Sequence, residues 1–303
     1  SDYQRRSPIG AEPVGGDRTH VRVWAPRIGE VRVVCRGTAT RLTAGSDGYH
    51  SGEFAAAAGD RYQFKLDADE KLYPDPASRF QPEGPHGPSE IVDPRAFRWS
   101  DQSWAGASIR GQVVYELHVG TFTREGTYAA AAKQLRELAR AGITLIEVMP
   151  VAEFDGRFGW GYDGVDLFAP SHLYGAPDDF RRFIDEAHRC GVAVILDVVY
   201  NHLGPTGNYL RAFSPAYFTD RYDNEWGDAI NFDGPDAAPV REFFVSNAAY
   251  WIEEFHLDGL RLDATQQIYD SSPEYIVAAV GRRVREAAGG RPTILIAENE
   301  PQD

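Results

Sequence analysis

Three apolar runs in this chain stop at acids. Val192-Ala193-Val194-Ile195-Leu196 runs into Asp197, with Val198-Val199-Tyr200-Asn201-His202 beyond it; Gly259-Leu260-Arg261-Leu262 ends at Asp263; Ile294-Leu295-Ile296-Ala297 ends at Glu298. A carboxylate taken into an apolar interior is costly unless it is paired or hydrogen-bonded, so each of these acids requires a partner. Arg261 and Asp263 stand two apart, which in a strand puts both side chains on one face. A fixed cation beside Asp263 favours its ionised form, as a nucleophile needs. The apolar approach to Glu298 disfavours its charged form, as a proton donor needs. On neighbouring strands about 4.8 Å apart the two carboxyls would face each other at roughly 5 Å, the spacing used to cleave a glycosidic bond with retention. Asp197 reads as structural support, an acid at a strand end that caps the amides of a neighbouring loop. Trp160 and Tyr162 follow Gly159 and Gly161, and such glycines let rings lie open against a sugar face.

The elements that must position these groups are of two kinds. From His20 to about Leu66 apolar residues alternate with polar ones (Val21, Val23; Val31, Val33; Tyr62, Phe64, Leu66), separated by Ala25-Pro26 and a glycine-rich stretch at 45–48. This pattern predicts a small antiparallel β-sandwich with Trp24 in its core. Proline and glycine crowd residues 73–94 and predict an ordered connecting segment without regular structure. Beyond residue 111 the pattern changes to short, nearly continuous apolar strands (113–117, 143–149, 192–199, 259–262 and 293–297) separated by amphipathic helical stretches. One such stretch carries Val240, Phe243, Phe244, Asn247, Trp251 and Phe255; another carries Ile276, Val280 and Val284. Alternating βα units with strands apolar on both faces predict a parallel sheet covered by helices. Gly120-Thr121-Phe122-Thr123 is not a dinucleotide-binding turn, so a (β/α) barrel fits better than a Rossmann sheet. Eight strands close such a barrel and five are visible, leaving two open apolar edges. The domains are therefore expected at residues 1–98, sandwich plus connecting segment, and 99–303, the first five βα units of an incomplete (β/α)8 TIM barrel truncated after strand 5. Reactive groups in such barrels sit at the C-terminal ends of strands, where the three acids are.

The 303 residues hold 31 basic and 45 acidic side chains, a net charge of −14, without a dense Lys/Arg block. Nucleic acid and anionic membranes are thereby poor partners. No apolar stretch reaches the length of a membrane span, and residues 1–13 contain no signal-peptide core. Two cysteines, Cys35 and Cys190, exclude a disulfide framework and a structural zinc cluster, so a cytoplasmic setting is expected. Asp178-Asp179 is expected to open a helix, where the helix dipole favours acids.

Asp197-Val-Val-Tyr-Asn201-His202, Gly259-Leu-Arg261-Leu-Asp263-Ala264 and the Glu298 strand resemble, in order and spacing, three conserved regions of the α-amylase family of glycoside hydrolases. Trp160-Gly161-Tyr162-Asp163 followed by Phe168-Ala169-Pro170 resembles a fourth. The stretch Val21-Arg22-Val23-Trp24-Ala25-Pro26 resembles the glycogen-binding-type, immunoglobulin-like sandwich that precedes the barrel in branching and debranching members, so the resemblance covers nearly the whole chain. It implies that Asp263 is the nucleophile, Glu298 the general acid/base and Arg261 the residue that orients the nucleophile. His202 and Tyr162 would then be sugar contacts, with Trp160 also on the substrate side and Asn201 supporting the strand end. Further similarity at Pro74-Asp75-Pro76-Ala77-Ser78-Arg79-Phe80 and at Asn208-Tyr209-Leu210 implies hydrolysis of the α-1,4 bond next to the trehalose end of maltooligosyltrehalose. Glycogen branching or debranching, or non-catalytic α-glucan binding, stay open as alternatives. Asn201 resembles a calcium ligand of amylases, but the rest of that site has no counterpart, and neither a metal nor a cofactor is expected. The family's third carboxylate and its neighbouring histidine have no counterpart either. The chain is therefore expected to be a piece of a longer enzyme and inactive alone.

Overall fold

The computed structural model describes residues 3–300; the outer ends of the two expected domains, residues 1–2 and 301–303, lie outside the described residues. Two antiparallel sheets build the first part of the chain. One places Gly10–Gly15, Arg18–Trp24, Tyr49–Ala55 and Thr43–Ala44 side by side; the other places Thr38–Arg41, Val31–Cys35, Arg61–Leu66 and Leu72–Tyr73 in order, with Ser89–Glu90 also paired to Arg61–Leu66. Burial alternates along Val31–Cys35 and Arg61–Leu66, as the period of two demands of half-buried strands. Val21, Val23 and Phe54 from the first sheet and Val33, Tyr62 and Phe64 from the second share one buried cluster.

The second part holds a five-stranded, all-parallel sheet whose strands follow chain order: β1 (Val114–Leu117), β2 (Leu145–Val148), β3 (Ala193–Val198), β4 (Gly259–Leu262) and β5 (Ile294–Ala297). That order is consistent with the arc of a barrel, and among the described residues the sheet does not close. Each strand is one to three residues shorter than the apolar run predicting it, except β4, because the flanking residues already turn into loops. Helices α1 (Pro177–Arg189), α2 (Ala237–Phe255) and α3 (Ile276–Ala287) precede β3, β4 and β5. On α1 the buried set Phe180, Phe183, Ile184 and Ala187 lies at spacings of three and four. Asp179 accepts from the Ala176 amide at 2.9 Å and so closes the first turn of this helix, as its acidic start predicts. Val113 before β1 and Val114 within it are 51% and 45% exposed and β5 is only partly covered, so among the described residues neither edge of this sheet is paired.

The two parts share packing. Ile9, Trp24, Tyr49 and Ala77 belong to the same buried cluster as the parallel sheet and its helices. The Trp24 ring meets Tyr217 edge-on at 5.1 Å, the Tyr49 hydroxyl donates to Glu242 at 2.8 Å, and the Arg79 guanidinium lies 4.7 Å from the Phe168 centroid and 4.9 Å from that of Tyr250. Trp24 is thus a docking residue at the junction.

At the opposite end of the sheet from the three acids, the segment after residue 98 is pinned by a buried ionic network. His188 Nδ1 lies 2.8 Å from Asp101 and its Nε2 2.8 Å from Asp258, whose carboxylate also accepts from the Val194 amide and the Trp104 indole. Trp104 stacks on His188; His256 bonds Asp101 and stacks on Trp99; Arg291 stands 3.6 Å from Asp258. Burial lowers the His188 pKa, but the bonds and charges of Asp101 and Asp258 outweigh it and leave it raised. A raised folded-state value means that this stability is fully present below the unfolded pKa, about 6.5, and is lost as pH rises through the folded value. Denaturant titrations between pH 6 and 9 should therefore show the stability gap between the parent and His188→Gln narrowing as pH rises. A gap that is constant or widens with pH would contradict this.

Candidate active site

Strand register brings the acids together. Asp197 of β3 sits opposite Arg261 of β4, and Leu262 opposite Ala297 of β5. The ladder continues one step further, with the Asp263 amide donating to Val198 at 3.0 Å and the Glu298 amide to Leu262 at 3.0 Å. Asp263 and Glu298 therefore leave the C-terminal edges of adjacent strands at the same level. Gly259 makes this pairing possible, since a Cβ there would lie 1.7 Å from the Ile294 carbonyl oxygen.

Arg261 is the centre of the group. Its Nη1 donates to both Asp197 oxygens at 2.9 and 2.8 Å and to Asp263 Oδ1 at 2.9 Å. Its Nη2 lies 3.7 Å from Glu298 Oε2 and its Nε 4.0 Å from Glu147 Oε1. Burial works against this cation, but the hydrogen bonds and charge of Asp197 more than offset it and the pKa lies above the usual value. Asp197 is fully buried, and burial pushes its pKa up to about 7 although Arg261 and the Tyr162 hydroxyl both oppose the shift. Contrary to the amide-capping expectation, its partners are side chains: Arg261, and Tyr162, whose hydroxyl donates at 2.8 Å. An inward-facing acid at the end of a central strand is surrounded by its neighbour strands' side chains before any loop amide can reach it. Beneath it, the oxygens of Glu116, Glu147 and Asp197 approach within 4.8 Å of one another, and burial together with the Glu116 charge raises the Glu147 pKa.

Among the described residues β5 is the last strand of the sheet, with Leu295 and Ile296 half-buried and Ala297 exposed, so apolar surroundings reach Glu298 from one flank only. The Glu298 carboxylate accepts from the Ala264 amide at 2.7 Å, and the Thr265 amide and hydroxyl both donate to the Glu298 carbonyl at 2.8 Å. Ala264 turns its amide there by adopting a left-handed backbone, φ 43° and ψ 56°, uncommon for a residue with a Cβ. The turn after Asp263 and the end of β5 are thus laced together.

Asn201 Nδ2 donates to Asp263 Oδ2 at 3.1 Å and to the Asp263 carbonyl at 2.9 Å, while its Oδ1 faces His202 Nδ1 at 2.5 Å. His202 Nε2 donates to the Tyr162 carbonyl at 2.8 Å, and burial pushes the His202 pKa down. Gly161 adopts φ 102°, and a Cβ there would lie 2.3 Å from the Pro150 carbonyl oxygen; only glycine lets the chain pass and return Tyr162 to Asp197. Asp197, Arg261, Asp263, Glu298, Asn201, His202 and Tyr162 are therefore brought together. Trp160 is not among them: its ring is 76% exposed and lines the neighbouring groove. Residues that the sequence patterns did not single out complete the rim. Asn224 Nδ2 donates to the Asn201 carbonyl at 2.7 Å and holds the turn carrying Trp226, whose 59% exposed ring lies 6.3 Å from His202.

A parallel sheet in chain order, with acids and an arginine at its C-terminal edge, defines a class that the comparisons identify: the chain belongs to the α-amylase family of glycoside hydrolases. The family model for the alpha amylase catalytic domain matches residues 91–226. Within that family the chain is similar to a malto-oligosyltrehalose trehalohydrolase of Deinococcus radiodurans, 43% identical over 300 residues that make up 99% of this chain and 49% of the relative. A second enzyme of that name, from Saccharolobus solfataricus, is 48% identical over 245 residues, 81% of this chain and 42% of the relative. The crystal structure of a Salmonella typhimurium protein described as an alpha amylase superposes with a TM-score of 0.92 at 42% identity, covering 98% of this chain and 52% of that one. The chain spans about half the length of the curated relatives it matches.

Proposed function

We propose that the chain is the N-terminal part of a retaining α-glucan hydrolase that frees trehalose from maltooligosyltrehalose by cleaving the adjacent α-1,4 bond. Residues 1–98 act as an immunoglobulin-like sandwich of the glycogen-binding type with its connecting segment. Residues 99–303 act as the first five βα units of a (β/α)8 barrel in a cytoplasmic enzyme. The observation carrying this reading is the single guanidinium of Arg261 that touches both Asp263 and Glu298, carboxylates from adjacent strands. Asp263 attacks the anomeric carbon while Glu298 protonates the leaving glycosidic oxygen; Glu298 then takes a proton from the water that releases the glycosyl intermediate. Arg261 and Asn201 orient the nucleophile, Asp197 and Tyr162 anchor Arg261, and His202 and Trp160 meet the sugar. Arg261 supplies the cation that the Glu116, Glu147 and Asp197 group would otherwise require, and no metal is assigned.

The family's third carboxylate has no counterpart in these residues, so turnover is a property of the whole protein. Incubating the whole protein with maltooligosyltrehalose should release free trehalose and leave the branch content of glycogen unchanged. Altered branching without trehalose would replace this reading by that of a branching or debranching enzyme.

A further inference from the structure

Two acids below Asp197 take no part in the bond cleavage, yet they belong to the same charged cluster. Glu116 of β1 and Glu147 of β2 are direct partners in the parallel ladder, so their side chains leave one face of the sheet at one level. Like charges directly opposite on neighbouring strands repel. Glu147 is level with Ile195 of β3, which puts Asp197 two residues higher on that face, and oxygens of all three acids lie within 4.8 Å of one another. With Asp263 and Glu298, five carboxyls join one cluster around the Arg261 guanidinium, and full ionisation would leave four negative charges uncompensated. Acids held this close release their protons in separate steps. Burial and the Glu116 charge raise the Glu147 pKa against the pull of Arg261, and a hydrogen bond with Glu116 raises it further.

The nitrogens of Arg261 show what that proton protects. Nη1 is engaged by Asp197 and Asp263, Nη2 faces Glu298 at 3.7 Å, and Nε faces Glu147 Oε1 at 4.0 Å. An ionised Glu147 would compete for the guanidinium as a bidentate partner and draw it down, away from Glu298 and Asp263. We propose that Glu116 and Glu147 share one proton, carried by Glu147 and donated to the Glu116 carboxylate. Neutral Glu147 is then a positioning residue, leaving Arg261 directed at the two carboxyls of the cleavage reaction. The inference rests on the α-glucan reading above and deepens it. Among the described residues the charged groups facing Glu147 are Glu116 from β1, Asp197 from β3 and Arg261 from β4. Removing the Glu116 charge and hydrogen bond therefore ionises Glu147 and misdirects Arg261.

Steady-state kinetics of the whole protein on maltooligosyltrehalose near pH 6, with infrared spectra of the same proteins, test this. Glu116→Gln should lower kcat roughly tenfold and change KM less than about twofold, because Arg261 acts on the nucleophile rather than on the sugar. Adding Glu147→Gln, which cannot ionise, should bring kcat back to within about threefold of the parent. A pair that only filled space would lose more in the double variant than in the single one. The infrared difference between the parent and Glu147→Gln should contain the carbonyl stretch of a protonated carboxyl. An undiminished kcat in Glu116→Gln, a double variant no faster than the single one, or a difference spectrum without that band would each overturn the inference. If the unsubstituted whole protein releases no trehalose, the substrate reading falls, and the infrared band decides this inference without it.

Discussion

Asp263→Asn should lower turnover of the whole protein by several powers of ten, each costing about 1.4 kcal/mol of activation free energy. The amide keeps the shape of the side chain. Its oxygen can still accept from Arg261 or from Asn201, which now meet the carboxylate at 2.9 and 3.1 Å. What it cannot do is form the glycosyl ester, the step that divides a difficult displacement into two easier ones. The loss should fall on kcat, with KM nearly unchanged, because the isosteric amide keeps the ground-state contacts with the sugar ring. Folding should be preserved, since Arg261 retains both of its bonds to Asp197. Steady-state kinetics on maltooligosyltrehalose measure this directly, and a variant within tenfold of the parent would remove Asp263 from the nucleophile's place.

The strand ends were legible because an apolar run that stops at an acid carries its own physical contradiction, and Asp197, Asp263 and Glu298 each resolve it by meeting Arg261. Spacing placed Arg261 and Asp263 on one face, and the 2.9 Å bond between them agrees. The surroundings of Glu298 depend on what flanks β5 on both sides, a property of the whole sheet that residues 294–297 do not carry. Asp197 was misjudged for a related reason, since local sequence suggests loop amides whereas the partner lies 64 residues further along. Glu147 could have been noticed, an acid inside the apolar strand Leu145–Val148 that must face something polar. Trp226 and Asn224 could not, because they sit in an irregular, polar loop whose position over His202 depends on the long-range bond to the Asn201 carbonyl. Alternation made three strands of the antiparallel sheets readable, around 21–23, 31–33 and 62–66, but not Gly10–Gly15, Tyr49–Ala55 or the Ser89–Glu90 strand that pairs inside the segment expected to lack regular structure, and the docking role of Trp24 required Tyr217 from the other half of the chain.

Arg261→Leu should abolish turnover and destabilise the protein by up to about 3 kcal/mol, the lower end of the cost of breaking a buried ion pair, because Asp197 is fully buried while Arg261, Asp263 and Glu298 are partly exposed. Asp197, Asp263, Glu298 and Glu147 all lie within 4.0 Å of this one guanidinium, so its removal leaves four acids without their shared cation. The pH dependence separates this cause from simple loss of packing. Asp197 titrates at about 7 in the folded state, above its ordinary value of about 3.9 when unfolded. A carboxyl raised by folding penalises the folded state fully above its folded pKa, and the penalty disappears as pH falls to the unfolded value. Arg261 lowers the folded value, so its loss carries Asp197 higher still and deepens the penalty at neutral and alkaline pH. The stability difference between parent and Arg261→Leu should therefore be greatest near pH 8 and shrink toward pH 5, measured by denaturant titration at each pH. A difference independent of pH would mean that leucine merely fits poorly, and that Asp197 does not depend on Arg261 for its charge.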